Sequence, residues 1–307
     1  MDEALLDSIT LDLGGGSEIA LALILALMMF AVALGLRAEH FKYLKDNPKV
    51  YFSGVLAQII GLPALTVLIC FIVGPPASVA LGMILIACCP GGNVSNLLAL
   101  FGRANTALSV SLTATSSLAA AFITPISILL WSGLYPPTRD LFTEINLDTV
   151  SFLRNSLVIL ALPLLLGMMI AHFAPKLSER LQKPLSVIAG LGLLVIIIGA
   201  CVQYLPVIPK LGPAIFILVI AHNGLAFLIG AIAGVLSGAD KRARRALTFE
   251  VGIQNSGLGI VILLTQLGGL GGAGVVAGLW GTWHIIAGLV LVAIFRRNDK
   301  KGNSAHV

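Results

Sequence analysis

Residues 248–260 read TFEVGIQNSGLGI, an acid set within an apolar segment. Glu250 stands there between strongly apolar flanks. The rest of the chain's 14 acidic residues fall at the termini, in loops or at the ends of apolar segments. A carboxylate at membrane depth is costly, so it is rare and serves an ion or substrate pathway. Gly252, Gln254, Asn255, Ser256, Gly257 and Gly259 follow it and are poor material for a continuous lipid-facing helix. A helix that breaks beside a buried acid has the pattern of an ion site in a secondary transporter.

Working outward, the 307 residues are 58% hydrophobic and only 11% charged, with a mean hydropathy of +1.01. Soluble domains carry roughly 25% charged residues, so the chain reads as an all-α integral membrane protein embedded in a lipid bilayer. Nine apolar segments can be marked, at about 18–36, 50–73, 77–101, 105–133, 150–173, 182–207, 212–237, 244–267 and 271–295. The net charge of +5 is spread over short loops and does not point to nucleic acid. Cys70, Cys88, Cys89 and Cys201 all lie in apolar segments and read as small hydrophobes. The first 17 residues hold four acids and no base, unlike the basic start of a signal peptide.

Lys and Arg alternate sides along these segments. If the C-terminus, with Arg296, Arg297, Lys300 and Lys301, is cytoplasmic, only Arg139, Arg154 and Lys210 of the 19 basic residues lie outside. The positive-inside rule then places the N-terminus outside and requires an odd number of spans. The expected location is a bacterial inner (plasma) membrane, crossed many times.

A second interruption, CCPGGNVSN at 88–96, falls in the third segment. Pro90 removes an amide donor, and Gly91-Gly92 weakens the helix further. Non-helical backbone at this depth survives only where protein or water surrounds it. The loop 135–149 divides the chain into two halves. Each half has one interrupted segment followed by one further span, which points to an inverted repeat with a binding site between the breaks. Pro63, Pro125 and Pro163 read as ordinary kinks, and the Gly/Ala-rich stretch 268–281 as a close helix contact.

A Na⁺ site wants several hard oxygen donors and a carboxylate. Glu250 supplies the charge. Ser95, Asn96, Ser109, Thr113 and Gln254 supply neutral oxygens, and the broken turn frees the carbonyls of Val251 and Ile253. Ser109 and Thr113 are four apart and share one helix face, which Ser116 extends. Gln58 is a lone amide in the second segment and suits interhelical contact as well as a ligand role. No Lys or Arg lies deep in a span to pair with an anion. An anionic substrate would instead meet half-helix N-termini at the breaks, with Asn93 and Asn255 as added donors. His284 is a further candidate. The His222-Asn223 pair is the same kind of feature, with simple packing the plainer account.

CPGGNVSN (89–96), ALSVSLTATSS (107–117), EVGIQNSGL (250–258) and WHIIAG (283–288) resemble the corresponding motifs of the bile acid:sodium symporter family. The resemblance spans about residues 18–297. It implies two crossing broken helices, a core domain (about 50–133 and 212–295) and a panel domain (about 18–36 and 150–207). The two domains would move against each other to give alternating access. It implies a first sodium site from Ser95, Asn96, Ser109, Thr113 and Glu250, and a second from Gln58, Glu250, Val251, Ile253 and Gln254. Asn93, Asn255 and His284 would line the cavity for an organic anion. Bacterial members have ten spans, of which the first has no counterpart here, and carry Thr where this chain has Asn93; both features match the animal branch.

The expected function is therefore Na⁺-coupled symport of a small organic anion: a bile acid, a steroid sulfate, pantoate or a keto acid. A proton-coupled exporter of the arsenite or auxin type would also use a lone membrane acid. An anion sensor or channel that moves nothing uphill is a third reading. No Ser/His/Asp or metal-cluster arrangement suggests an enzyme. The substrate and the oligomeric state are not encoded in any motif.

Overall fold

The computed structural model describes residues 17–204 and 212–304. The acidic tail 1–16 and the end of the sixth apolar segment, 205–207, lie outside the described residues. Within them the chain is almost wholly helical. In order the helices are α1 (Ser17–Leu34), α2 (Lys42–Asp46), α3 (Pro48–Leu56), α4 (Leu62–Val73), α5 (Ala77–Ala87), α6 (Asn93–Phe101) and α7 (Thr106–Leu134). These are followed by α8 (Pro136–Glu144), α9 (Thr149–Phe173), α10 (Pro175–Tyr204), α11 (Gly212–Leu236), α12 (Lys241–Gly252), α13 (Ser256–Gln266) and α14 (Gly271–Ser304).

Both interruptions are real breaks. α5 ends at Ala87 and α6 begins at Asn93; α12 ends at Gly252 and α13 begins at Ser256. The two gaps pair with each other. Gly91 and Gln254 form an antiparallel bridge. The Gly92 amide donates to the Ile253 carbonyl at 3.2 Å, and the Asn255 amide donates to the Pro90 carbonyl at 2.8 Å. Backbone groups that lost their helical partners thus satisfy one another. The adjoining half-helices are enclosed: residues 78–87 of α5 and 256–264 of α13 are all buried. A helix that is apolar on every side belongs in the interior, and here it shields the broken backbone from lipid.

Among the described residues, five stretches are long and apolar enough to cross a membrane: 48–73, 106–134, 149–173, 212–236 and 271–300; α1 with the bent segment after it makes a sixth. The nine-segment reading of the sequence counts α5–α6 and α12–α13 as one span each and adds α10. α1 packs on α9 and α10, α11 on α12, and α5 on α14. In the last contact a Cβ at Gly82 would stand 2.7 Å from the Ala273 Cα. The Gly/Ala-rich start of α14 thus does allow a close helix contact.

Three details differ from the sequence expectation. Pro63 does not produce a plain kink. It follows a π turn at Ala57–Gly61 that joins α3 to α4, and the wide turn accommodates a ring with no amide to offer the preceding turn. The segment 135–149 is not all loop. Pro136 and Pro137 open α8, and Thr138 Oγ1 donates to the Ser132 carbonyl at 2.5 Å, tying the helix back to α7. The sixth segment starts earlier, at Pro175, whose fixed φ suits a first helical position.

Candidate functional site

Glu250 sits in the last turn of α12 and is 1% exposed. Its carboxylate faces hydroxyls, not cations. Oε2 accepts from Ser95 Oγ at 2.7 Å and from Ser109 Oγ at 3.1 Å, and Oε1 accepts from Thr113 Oγ1 at 2.6 Å. Asn96 Oδ1 closes the ring, 2.9 Å from Ser109 Oγ and 3.2 Å from Thr113 Oγ1. Ser95 Oγ lies 3.3 Å from Thr113 Oγ1. Two elements supply these partners: the first turn of α6, freed by the Pro90–Gly92 gap, and one face of α7. All five residues expected for the first cation set therefore converge. None of the ion pairs among the described residues includes Glu250. A buried carboxylate without a countercharge is expensive even when hydrogen-bonded. The surrounding donor set is entirely oxygen, the chemistry a hard cation selects.

The second set lies on the other side of Glu250. Gln58, in the π turn, is 2% exposed, and its Nε2 lies 3.5 Å from Gln254 Oε1. Gln254 Nε2 donates to the Val251 carbonyl at 2.8 Å. The Ile253 carbonyl already takes the Gly92 amide. Gly91 marks where the two sets meet. A Cβ there would press on Glu250 Oε1 and lie 3.1 Å from Gln58 Nε2. π turns recur at functional sites because they re-aim side chains, and this one directs Gln58 toward Gly91. Ser116 accepts from the Gly91 amide at 3.2 Å, fixing the break from the α7 side.

Two residues cap the broken ends: Thr124, which the sequence reading missed, and Asn223, which it noted only in the pair with His222. Thr124 Oγ1 donates to the Cys88 carbonyl at 3.0 Å. Asn223 Nδ2 donates to the Gly252 carbonyl at 2.8 Å. Each comes from a neighbouring helix and satisfies a carbonyl at the end of a half-helix. Thr124 was detectable: it continues the polar face of Ser109, Thr113 and Ser116 along α7. Asn223 had no such marker.

The three residues expected to touch an organic substrate separate. Asn93 is exposed and lines a cleft of about 170 Å³, together with Asn96, Thr113 and Ser117 on one wall and Gln182 and Ser186 of α10 on the other. Asn255 is half-buried; its Oδ1 accepts the Leu258 amide at 3.0 Å and caps α13. His284 is buried, 3% exposed, and its Nδ1 has no partner among the described residues. Neither of these two lines that cleft. His222 is explained by packing. Thr66 Oγ1 gives its proton to the Leu62 carbonyl, so His222 Nε2 donates to Thr66 at 2.7 Å. The ring meets Trp280 edge-on at 4.6 Å.

Comparison with known proteins identifies the family. The sequence model described as the Sodium Bile acid symporter family matches residues 22–210. The chain is 31% identical over 92% of its length, and 84% of the relative's, to the uncharacterized sodium-dependent transporter YocS of Bacillus subtilis. It is 30% identical to the probable sodium/metabolite cotransporter BASS1, chloroplastic, of Arabidopsis thaliana, over 90% of this chain and 67% of that one. It is 31% identical to the human ileal sodium/bile acid cotransporter, over 78% of this chain and 67% of that one. On both the family match and these relatives, the chain belongs to the sodium bile acid symporter family, a family of sodium-dependent membrane transporters.

Proposed function

We propose that this chain carries an organic anion into the cell together with Na⁺, by alternating access. The observation that carries the proposal is the buried Glu250 carboxylate held by Ser95, Ser109 and Thr113, with Asn96 beside them and no ion pair to it among the described residues. Na⁺ is a co-substrate here. It would sit between Glu250 and the Ser95, Ser109 and Thr113 hydroxyls, which keep their protons and turn their oxygen lone pairs toward it, and Gln58, Gln254 and the Val251 and Ile253 carbonyls form a second site on the same acid. α5 and α12 end, and α6 and α13 begin, at the paired breaks. Helix C-termini aim partial negative charge at cations, and N-termini aim partial positive charge at an anion. Two cations against one carboxylate leave the centre positive, which draws the anion to Asn93 at the start of α6.

The nine-span inverted repeat gives the moving parts. A core (about 50–133 and 212–295) holds the breaks, and a panel (about 18–36 and 150–207) packs against it. The cleft at Asn93 has walls from both, α6 and α7 on one side and α1 and α10 on the other, as a substrate path between two bodies requires. The C-terminus is cytoplasmic and the N-terminus external, in a bacterial plasma membrane, on the distribution of Lys and Arg. A bile acid or steroid sulfate, or a small acid such as pantoate or a keto acid, fits the chemistry.

The test is uptake of labelled taurocholate and labelled pantoate into proteoliposomes under an inward Na⁺ gradient, with K⁺ as control. Sodium-dependent accumulation of either supports the reading and sorts the two substrate classes. Accumulation driven by a pH gradient alone would replace it with proton coupling. Binding without accumulation would replace it with a sensor.

A further inference from the structure

A groove of about 710 Å³ between α11, α12 and α14, which Glu250 does not line, runs from apolar to basic residues. Its apolar part is formed by Leu228 and Val235 of α11 and Leu291 of α14. Leu228 and Val235 are 50% and 60% exposed, so they face the surroundings of the bundle. Its polar end is formed by Lys241 and Arg244 at the start of α12. The groove runs along α11 from Gly224 to Val235, roughly 16 Å at 1.5 Å per residue. This is the end of the bundle where Arg296 and Arg297 of α14 also lie exposed.

The charges at that end are unbalanced. Two acids lie there among the described residues: Asp240 caps α12, accepting from the Ala243 amide at 2.7 Å, and Asp299 is taken up by Arg245, at 2.7 and 2.9 Å, and by Lys241 at 2.8 Å. Arg244 is exposed and belongs to none of the ion pairs among the described residues. Its stem lies on α11, where a Cβ at Gly234 would stand 2.7 Å from Arg244 Cγ. The side chain thus starts along α11 and lines the groove. A basic pocket between membrane helices, continuous with an apolar slot, matches one ligand chemistry: an anionic head on an acyl chain. We propose that this groove binds an anionic phospholipid, with the phosphate on Arg244 and Lys241 and one acyl chain along Leu228 and Leu291.

The test is native mass spectrometry of the detergent-purified full chain, titrated with phosphatidylglycerol and phosphatidylcholine of identical acyl chains. Wild type should retain phosphatidylglycerol preferentially. The preference should fall by about fivefold for each charge removed in Arg244→Gln and Lys241→Gln. A Cβ at Gly224 meets open space, so Gly224→Phe should fill the apolar end and weaken both lipids alike without changing their ratio. Equal retention of the two lipids by wild type overturns the proposal, as does a preference that survives the double charge variant. Thermal stabilisation by glycerol 3-phosphate equal to that by phosphatidylglycerol overturns it too, because the slot would then take an anion and not a lipid. Should the double variant fail to fold, full phosphatidylglycerol retention by Gly224→Phe is the overturning result.

Discussion

Gly91 stands opposite Gln254 in an antiparallel bridge, so the backbone of one broken helix is completed by the other. Glu250 lies directly behind that bridge, against the bare face of Gly91. The proposed cation ligands from both halves of the chain are therefore set by a handful of main-chain bonds.

Gly91→Ala tests this contact. The methyl group would press on Glu250 Oε1 and approach Gln58. Overpacking of this kind costs about 1–3 kcal/mol. Here it also displaces oxygen donors. The expected outcome is a folded protein whose thermal stability no longer rises with added Na⁺.

Glu250→Ala should abolish sodium dependence at both proposed sites, because both proposed sets share this carboxylate. Gln58→Ala should weaken only one. Initial uptake rates across a Na⁺ titration distinguish them: the first variant loses the dependence, and the second keeps it with reduced cooperativity. Transport by Glu250→Ala with unaltered sodium dependence would refute the assignment.

Asn93 and Asn255 should part company. Asn93→Ala removes a donor from the cleft and should raise the substrate KM while leaving the sodium dependence nearly unchanged. Asn255→Ala removes the cap of α13, at a cost of about 1 kcal/mol. It should lower the melting temperature and disturb sodium and substrate together. Equal effects on sodium and substrate in Asn93→Ala would argue against its cleft role.

Thr124→Val should destabilise by about 1–3 kcal/mol, because the Cys88 carbonyl is left unpaired in a buried site. Thr265→Val is the control. Its hydroxyl bonds only to its own helix, at the Val261 carbonyl, so its loss should be close to neutral. Thermal unfolding of the two variants side by side makes the comparison.

Arg245 is 6% exposed, and its guanidinium bonds Asp299, the Gly102 carbonyl and the Phe295 carbonyl. It ties α12 to α14 and to the turn after α6, one turn and a half from Glu250. Arg245→Ala leaves Asp299 to Lys241 alone and strands the Gly102 and Phe295 carbonyls, and should cost about 1–3 kcal/mol, again read by thermal unfolding.

Much of the site was legible because local chemistry announced it. Pro90, Gly91 and Gly92 cannot continue a helix, so the first break shows in the letters alone. The four-residue spacing of Ser109 and Thr113 put both hydroxyls on one face before any neighbour was known. Other features depend on tertiary contacts. Gln58 gained its place from a π turn whose one local sign is Pro63, five residues on. Asn223 caps Gly252 from another helix, and nothing in its own segment foretells the partner. Gln182 and Ser186 face the Asn93 cleft, but in sequence they are two polar residues near a helix start. α8 was hidden because a short helix opened by two prolines looks like a loop.

The bridge between the two breaks also constrains how the chain is made. Its two strands lie far apart in sequence, so the first gap emerges during synthesis long before its partner exists. Until residues 253–255 arrive, the amide of Gly92 and the carbonyl of Pro90 have no mate inside a bilayer that offers none. Non-local closure of this sort is slow. The first half of the protein must therefore wait, sheltered by the insertion machinery or by water, and a chain arrested before the second break cannot bury the first.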